Sequence, residues 1–220
     1  MWWRLSLVAL LVVVGCRPSP PAPNASEFVD RAAVRTAALQ SAHFRLDVSN
    51  GAMLIGPSLQ VTQAEGDVGR PDLLSMRATV RLGGIIVETE FRQVDGVGYV
   101  LSPFSRKWEP LDGPLTPVPL LDSTAGVSQL VRAVVAPSVS ANNAGGWSVT
   151  GRVAASAVTA LVGGTPASSD LDVTAQVTDD GLVQELVLHG TVVEGESKDL
   201  TRTFEFSNFD APVTIEAPPV

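Results

Sequence analysis

Cysteine, histidine and lysine are nearly missing from this chain of 220 residues, which has one cysteine (Cys16), two histidines (His43 and His189) and two lysines (Lys107 and Lys198). A single cysteine excludes an intramolecular disulfide, and so few sulfur and imidazole ligands leave no basis for a Cys/His metal centre. Charge of either sign is also scarce. Charged residues are 17% of the chain, with fifteen cations against twenty-three acids for a net −8. The cations form no cluster, so electrostatic binding of nucleic acid is not expected. What the chain does have is apolar mass: hydrophobic residues are 45% and the mean hydropathy is +0.24. That composition excludes a disordered chain, and the length suits one domain of ordinary size.

The first apolar stretch is at the N-terminus. Met1-Trp2-Trp3-Arg4 carries positive charge, and Leu5 to Val14 is apolar except for Ser6. Ten residues fall short of the roughly 20 that cross a bilayer core as a helix, but they match the apolar region of a secretion signal. The run ends in Val13-Val14-Gly15-Cys16, which resembles the lipobox of bacterial lipoproteins. That resemblance implies a signal peptide over 1–15, a diacylglyceryl group on the Cys16 thiol, cleavage before Cys16, and attachment to the outer face of the cytoplasmic membrane. Two or three acyl chains anchor a protein stably where one does not. Cleavage would remove Arg4 and leave fourteen cations against twenty-three acids, −9, a balance unsuited to lying on an anionic membrane. Residues 16–25 hold four prolines and no core-forming residue. They read as an extended tether of about 3.1 Å per residue. Residues 26–220 then form the domain.

Within it, Ser26 suits the N-cap of a helix over 27–40. From Phe44 the period changes to two. Alternating strands with turns at Gly83-Gly84 and Asp95-Gly96 make residues 43–101 an antiparallel meander. Trp108 to Pro119 is proline-rich and reads as a loop. Asp122 or Ser123 can cap a helix carrying Val127, Leu130, Val131 and Val134. Trp147–Val153 reads as a strand and Ala154–Val162 as a short helix. Residues 170–178, 182–193, 200–209 and 213–215 alternate again. The fold class is α+β, a long antiparallel sheet with few, short helices to cover one face. That apolar face belongs either to a packed core or to a cavity, and periodicity does not choose between them.

Motifs of catalysis are lacking. His43 and His189 are isolated, and G-x-S-x-G, S-x-x-K, a P-loop and a dinucleotide fingerprint do not occur. Glu88 and Glu90 share a strand face, yet their alternation with Val87 and Phe91 reads as a solvated outer surface. Trp108 and Trp147 read as packing residues. The chain is expected to be non-enzymatic and to hold no metal or cofactor. A hydrolase would need a serine or acid gathered with His43 or His189 in a cleft.

Taken in order, several stretches resemble the LppX/LprG (LppX_LprAFG) family of bacterial lipoproteins. They are the lipobox and linker, Ala37–Phe44, Asp95–Val100 followed by Trp108, Thr124–Leu130, Gly151–Val158 and Phe206–Pro218. The resemblance implies a half-barrel, a strongly curved antiparallel sheet with short helices across its concave apolar face. Between them it implies a cavity for the acyl chains of a lipid or glycolipid, carried or presented in the cell envelope, with a membrane transporter as a candidate partner. Alternation nominates the residues facing that interior. From the first half they are Phe44, Leu46, Val48, Leu74, Met76, Val80, Val87, Phe91, Val97 and Tyr99. From the covering helix they are Val127, Leu130, Val131 and Val134, and from the last strands Val173, Leu186, Leu188 and Phe204. The rival reading is an envelope interaction module, a chaperone or sensor lipoprotein that binds a protein, which a fully packed interior would favour.

Overall fold

The computed structural model describes residues 22–55, 59–111, 118–121, 126–142 and 145–220. Cys16, the signal segment and most of the tether lie outside the described residues, as do Asp122 and Ser123. A helix, α1 (Ala25–Ala37), precedes seven strands: β1 (Ser41–Ser49), β2 (Met53–Ile55), β3 (Leu59–Gly69), β4 (Leu73–Leu82), β5 (Ile85–Val94), β6 (Val97–Leu101) and β7 (Trp108–Pro110). A 3₁₀ turn over Val118–Leu121 and helix α2 (Val127–Arg132) lead to β8 (Val135–Ala141) and β9 (Trp147–Ala154). Helix α3 (Ala155–Val162) is followed by β10 (Asp170–Val177), β11 (Val183–His189) and β12 (Thr201–Ser207).

All twelve strands belong to one open antiparallel sheet, ordered β7-β6-β5-β4-β3-β1-β12-β11-β10-β9-β8, with β2 paired to β3. The last strand, β12, enters between β1 and β11. It joins the two meanders into one surface that curves into a half-barrel. Register shifts at Val61/Gln63, Gln176/Val177 and Val135/Ser138 are the irregularities that bend and twist such a sheet. The two predicted tight turns form. Both Gly83 and Gly84 have positive φ, as do Asp95 and Gly96, the backbone a two-residue hairpin requires.

Several boundaries differ from the sequence reading. Asn24, not Ser26, caps α1: its Oδ1 accepts the Glu27 amide at 3.2 Å, so the helix starts at Ala25, the residue on which the tether was expected to end. An Asn24→Ala variant is expected to lose about 1 kcal/mol, the usual cost of a lost N-cap, measured by urea denaturation. Helix α2 ends at Arg132, so Val134 is buried beyond the helix rather than within it. Strand β8 was not predicted, because Val-Ala-Pro-Ser-Val-Ser-Ala alternates poorly. A proline is tolerated there because β8 is an edge strand. The expected loop begins with the short edge strand β7, and residues 213–215 form no strand.

The remaining correction is one of register. Phe91 pairs with Val100, Arg92 with Tyr99 and Val94 with Val97. Paired residues share a face. Val97 and Tyr99 therefore stand on the convex face with Arg92, not beside Phe91. Alternation had been carried unbroken across Asp95-Gly96, but a two-residue turn makes its flanking residues partners.

Candidate functional site

The core is a seam between the concave face of the sheet and a roof made by the 3₁₀ turn, α2 and α3. Along it runs a cavity lined by sixteen apolar side chains and Arg202. Sheet residues Phe44 and Leu46 (β1), Ala64 (β3), Leu74 and Met76 (β4), Leu186 (β11) and Phe204 (β12) form its floor. Register explains the grouping, since Leu46 pairs with Phe204, Phe204 with Leu186, and Leu46 with Ala64. Met53 and Ile55 from β2, with Val61, line one end, and Leu120, Val127, Leu130, Val158, Leu161 and Val162 complete the roof. Gly66 lets β3 approach β4 closely beside Met76, because a Cβ there would come within 2.1 Å of the Ser75 carbonyl oxygen. The free volume of the cavity is about 30 Å³, the room of one or two water molecules.

Eight nominated residues meet at this cavity: Phe44, Leu46, Leu74, Met76, Val127, Leu130, Leu186 and Phe204. Val80, Phe91, Val131, Val134, Val173 and Leu188 are buried in the surrounding core, and Val48 and Val87 pack half-buried against it. They are in the core but not in the cavity wall, because the wall occupies only the middle of the sheet. Val97 is 41% exposed and, with Tyr99, lies outside. Sequence reasoning missed Met53, Ile55, Val61 and Ala64. It also missed Leu120 and the apolar face of α3, whose Val158, Leu161 and Val162 recur at helical spacing and could have been found by it.

It missed Arg202 altogether, an arginine at an inward position of β12 between Leu200 and Phe204. Arg202 is 0% exposed. Its Nη2 donates to Glu196 Oε2, and its Nη1 donates to the Gly190 carbonyl at 2.9 Å. Glu196 is also enclosed, and its Oε1 accepts the Leu54 amide at 3.0 Å. Oε2 also accepts the amides of Val192 and Val193 at 3.0 and 3.2 Å. Burial pushes the Glu196 carboxyl up, but the Arg202 guanidinium and the amides outweigh it and hold it below its ordinary value. Burial pulls Arg202 below its ordinary value, against the opposing bond and charge of Glu196. This pair ties β12, β2 and the β11–β12 connection together at the end of the cavity that Met53 and Ile55 line.

The convex face is polar. His43 on β1 lies 2.8 Å by Nδ1 from Asp67 and 3.3 Å by Nε2 from Glu65. Ser75 borders the same shallow groove, but Asp67 pairs with both His43 and Ser75. The acid stands between serine and histidine, which is the wrong order for a nucleophile-base-acid relay. His189 is exposed, with Nδ1 3.0 Å from Thr201 Oγ1. Among the described residues no group of three His, Cys, Asp or Glu side chains is arranged to hold a metal ion, and no helix is long and apolar enough to cross a membrane.

An open, curved antiparallel sheet with short helices laid over an apolar interior defines a half-barrel fold. The LppX_LprAFG lipoprotein model matches residues 24–215, and the chain belongs to that family. LprF from Mycobacterium bovis shares the fold with a TM-score of 0.70 at 21% identity, covering 90% of this chain and 99% of that one. LppX from Mycobacterium tuberculosis is similar, with a TM-score of 0.57 at 18% identity, over 85% and 98% of the two chains. No curated protein sequence matches this one.

Proposed function

We propose that this protein is a non-enzymatic lipid carrier, tethered to the extracytoplasmic face of the cell membrane through acyl groups on Cys16. It takes the acyl chains of a lipid or glycolipid between its sheet and its helical roof. It then carries or presents that lipid in the envelope, with a membrane transporter as the candidate donor or acceptor. The observation that supports this reading is the seam itself. A wall of sixteen apolar side chains is shared between a sheet and separate short helices, so it can part without breaking a strand ladder.

Parting is required, because about 30 Å³ is far below the roughly 300–1,000 Å³ of an ordinary ligand pocket. The roof is built to move. Helices α2 and α3 have six and eight residues, and neither has a side-chain N-cap bond. Helices so short draw their stability from packing rather than from their own hydrogen bonds. Met53 and Met76, flexible thioethers in the wall, adapt to the shape that enters. The driving force is partition. A 16-carbon chain costs on the order of 12 kcal/mol in water, at about 0.8 kcal/mol per CH₂, and leaves a bilayer only for comparable apolar surface.

Full-length protein purified from bacterial membranes is expected to yield acyl lipids on solvent extraction and mass spectrometry. It should also take up a fluorescent acyl lipid, and Cys16→Ser should abolish labelling by radioactive palmitate. If neither extraction nor uptake shows lipid, the carrier reading fails. The nearly filled interior favours one rival, an envelope interaction module that binds a protein. That rival predicts a tight interior in solution, with no lipid recovered and no uptake.

A further inference from the structure

Arg202, one partner of the buried Arg202–Glu196 pair, lines an otherwise apolar cavity, and one of its donor nitrogens is unused. An arginine carries five N–H groups in a planar fork. Nη1 and Nη2 are engaged by the Gly190 carbonyl and the Glu196 carboxylate. Nε is buried and meets no acceptor, although Arg202 is 0% exposed and forms part of the cavity wall. Buried donors are almost always paired, so an exception calls for a reason.

We infer that Arg202 Nε is a polar hook for the cavity's occupant, donating one hydrogen bond to the carbonyl oxygen of an acyl ester. This rests on the lipid reading above and names the chemical group the cavity selects. Glu196 already neutralises the guanidinium, so the unpartnered Nε suits a neutral acceptor. A free carboxylate would bring a second anion beside Glu196 in apolar surroundings, which like-charge repulsion and desolvation oppose. A pure hydrocarbon would leave Nε as it stands. The pair is also well placed to fix depth. Glu196 holds β2 through the Leu54 amide, and the residues on either side of Leu54, Met53 and Ile55, line the cavity. An ester hooked on Nε would extend its chain along Phe204 and Leu186.

The test uses the full-length chain in nanodiscs of a dialkyl ether lipid, loaded with a pyrenyl alkane and competed with heptadecane, methyl palmitate or palmitate. Wild type is expected to release the probe to methyl palmitate at about ten-fold lower concentration than to heptadecane, the low end for a hydrogen bond to a charged group. Palmitate should show no such advantage. Replacing the pair together, Arg202→Met with Glu196→Gln, leaves no lone buried charge and should cut the ester advantage to less than about two-fold. Heptadecane should still compete there.

An ester advantage that is missing in wild type, or kept in the double variant, overturns the hook while the carrier reading stands. Palmitate competing as well as the ester overturns the neutral-acceptor assignment. Failure of wild type to hold the pyrenyl alkane at all overturns the carrier reading itself. If the double variant does not fold, wild type decides alone. The ¹³C-carbonyl band of bound methyl palmitate must move to lower frequency than in protein-free nanodiscs, and an unmoved band refutes the hook.

Discussion

A Glu196→Ala variant is expected to lose about 3–5 kcal/mol of stability, the cost of breaking one partner out of a buried ion pair. Glu196 accepts four bonds, from Arg202 and from the amides of Leu54, Val192 and Val193. Its removal strands a fully buried guanidinium and unties β2 from the β11–β12 connection. The double variant Arg202→Met with Glu196→Gln should recover most of that loss, because an uncharged replacement of the whole pair removes the ionic desolvation cost with the attraction, and the glutamine carbonyl can still accept from a backbone amide. Urea denaturation of the three proteins measures the difference. A single variant as stable as wild type would show that the pair does not close this end of the sheet.

Acid sensitivity follows from the same group. The folded-state pKa of Glu196 lies below its unfolded value. Its contribution is therefore complete above the unfolded value of about 4.5 and is lost as pH falls through that value toward the folded one. Wild type should show a falling denaturation midpoint across this acid range, and the double variant a shallower fall. Arg202 is charged in folded and unfolded chains alike throughout that window, so its lowered value adds no slope there.

A Phe28→Ala variant should lose about 3–5 kcal/mol as well, for a different reason: it opens a hole under α1. Phe28 is 1% exposed, its ring lies 5.9 Å from that of Trp147, and the Arg31 guanidinium sits 5.0 Å from its centroid. The aromatic pair adds about 0.5–1.5 kcal/mol beyond area burial. This ring fixes α1 against β9, and α1 packs on α2, which roofs the cavity. Phe28 does not line the cavity. The variant should therefore unfold at lower urea while keeping the preference for ester over alkane. A changed preference with unchanged stability would place Phe28 in the binding wall instead.

The strands were legible because exposure to water on one face imposes a period of two, and the turns because Gly-Gly and Asp-Gly relieve backbone that other residues resist. Phe44, Leu46, Leu74 and Met76 are inward for that reason alone. The same rule failed at Val97 and Tyr99, where a turn of fixed length resets the face. It was blind to β2, three residues long, too short to show a period. Arg202 was illegible on principle. Nothing local marks an arginine as buried, and its partner Glu196 comes from a connection that folds back only when β12 enters between β1 and β11.

By itself, then, the sequence determined an alternating antiparallel sheet with sparse helical cover, the absence of an intramolecular disulfide and of a basic cluster, and a lipobox-like Cys16. Tertiary structure alone decided which of many apolar side chains share one cavity wall and how little free space they leave. It also placed a paired charge in that wall. The physical reason is distance along the chain. Leu46, Phe204 and Leu186 touch through cross-strand pairing of segments far apart in sequence, and the roof is set by helices whose own hydrogen bonds are too few to place them without the sheet beneath.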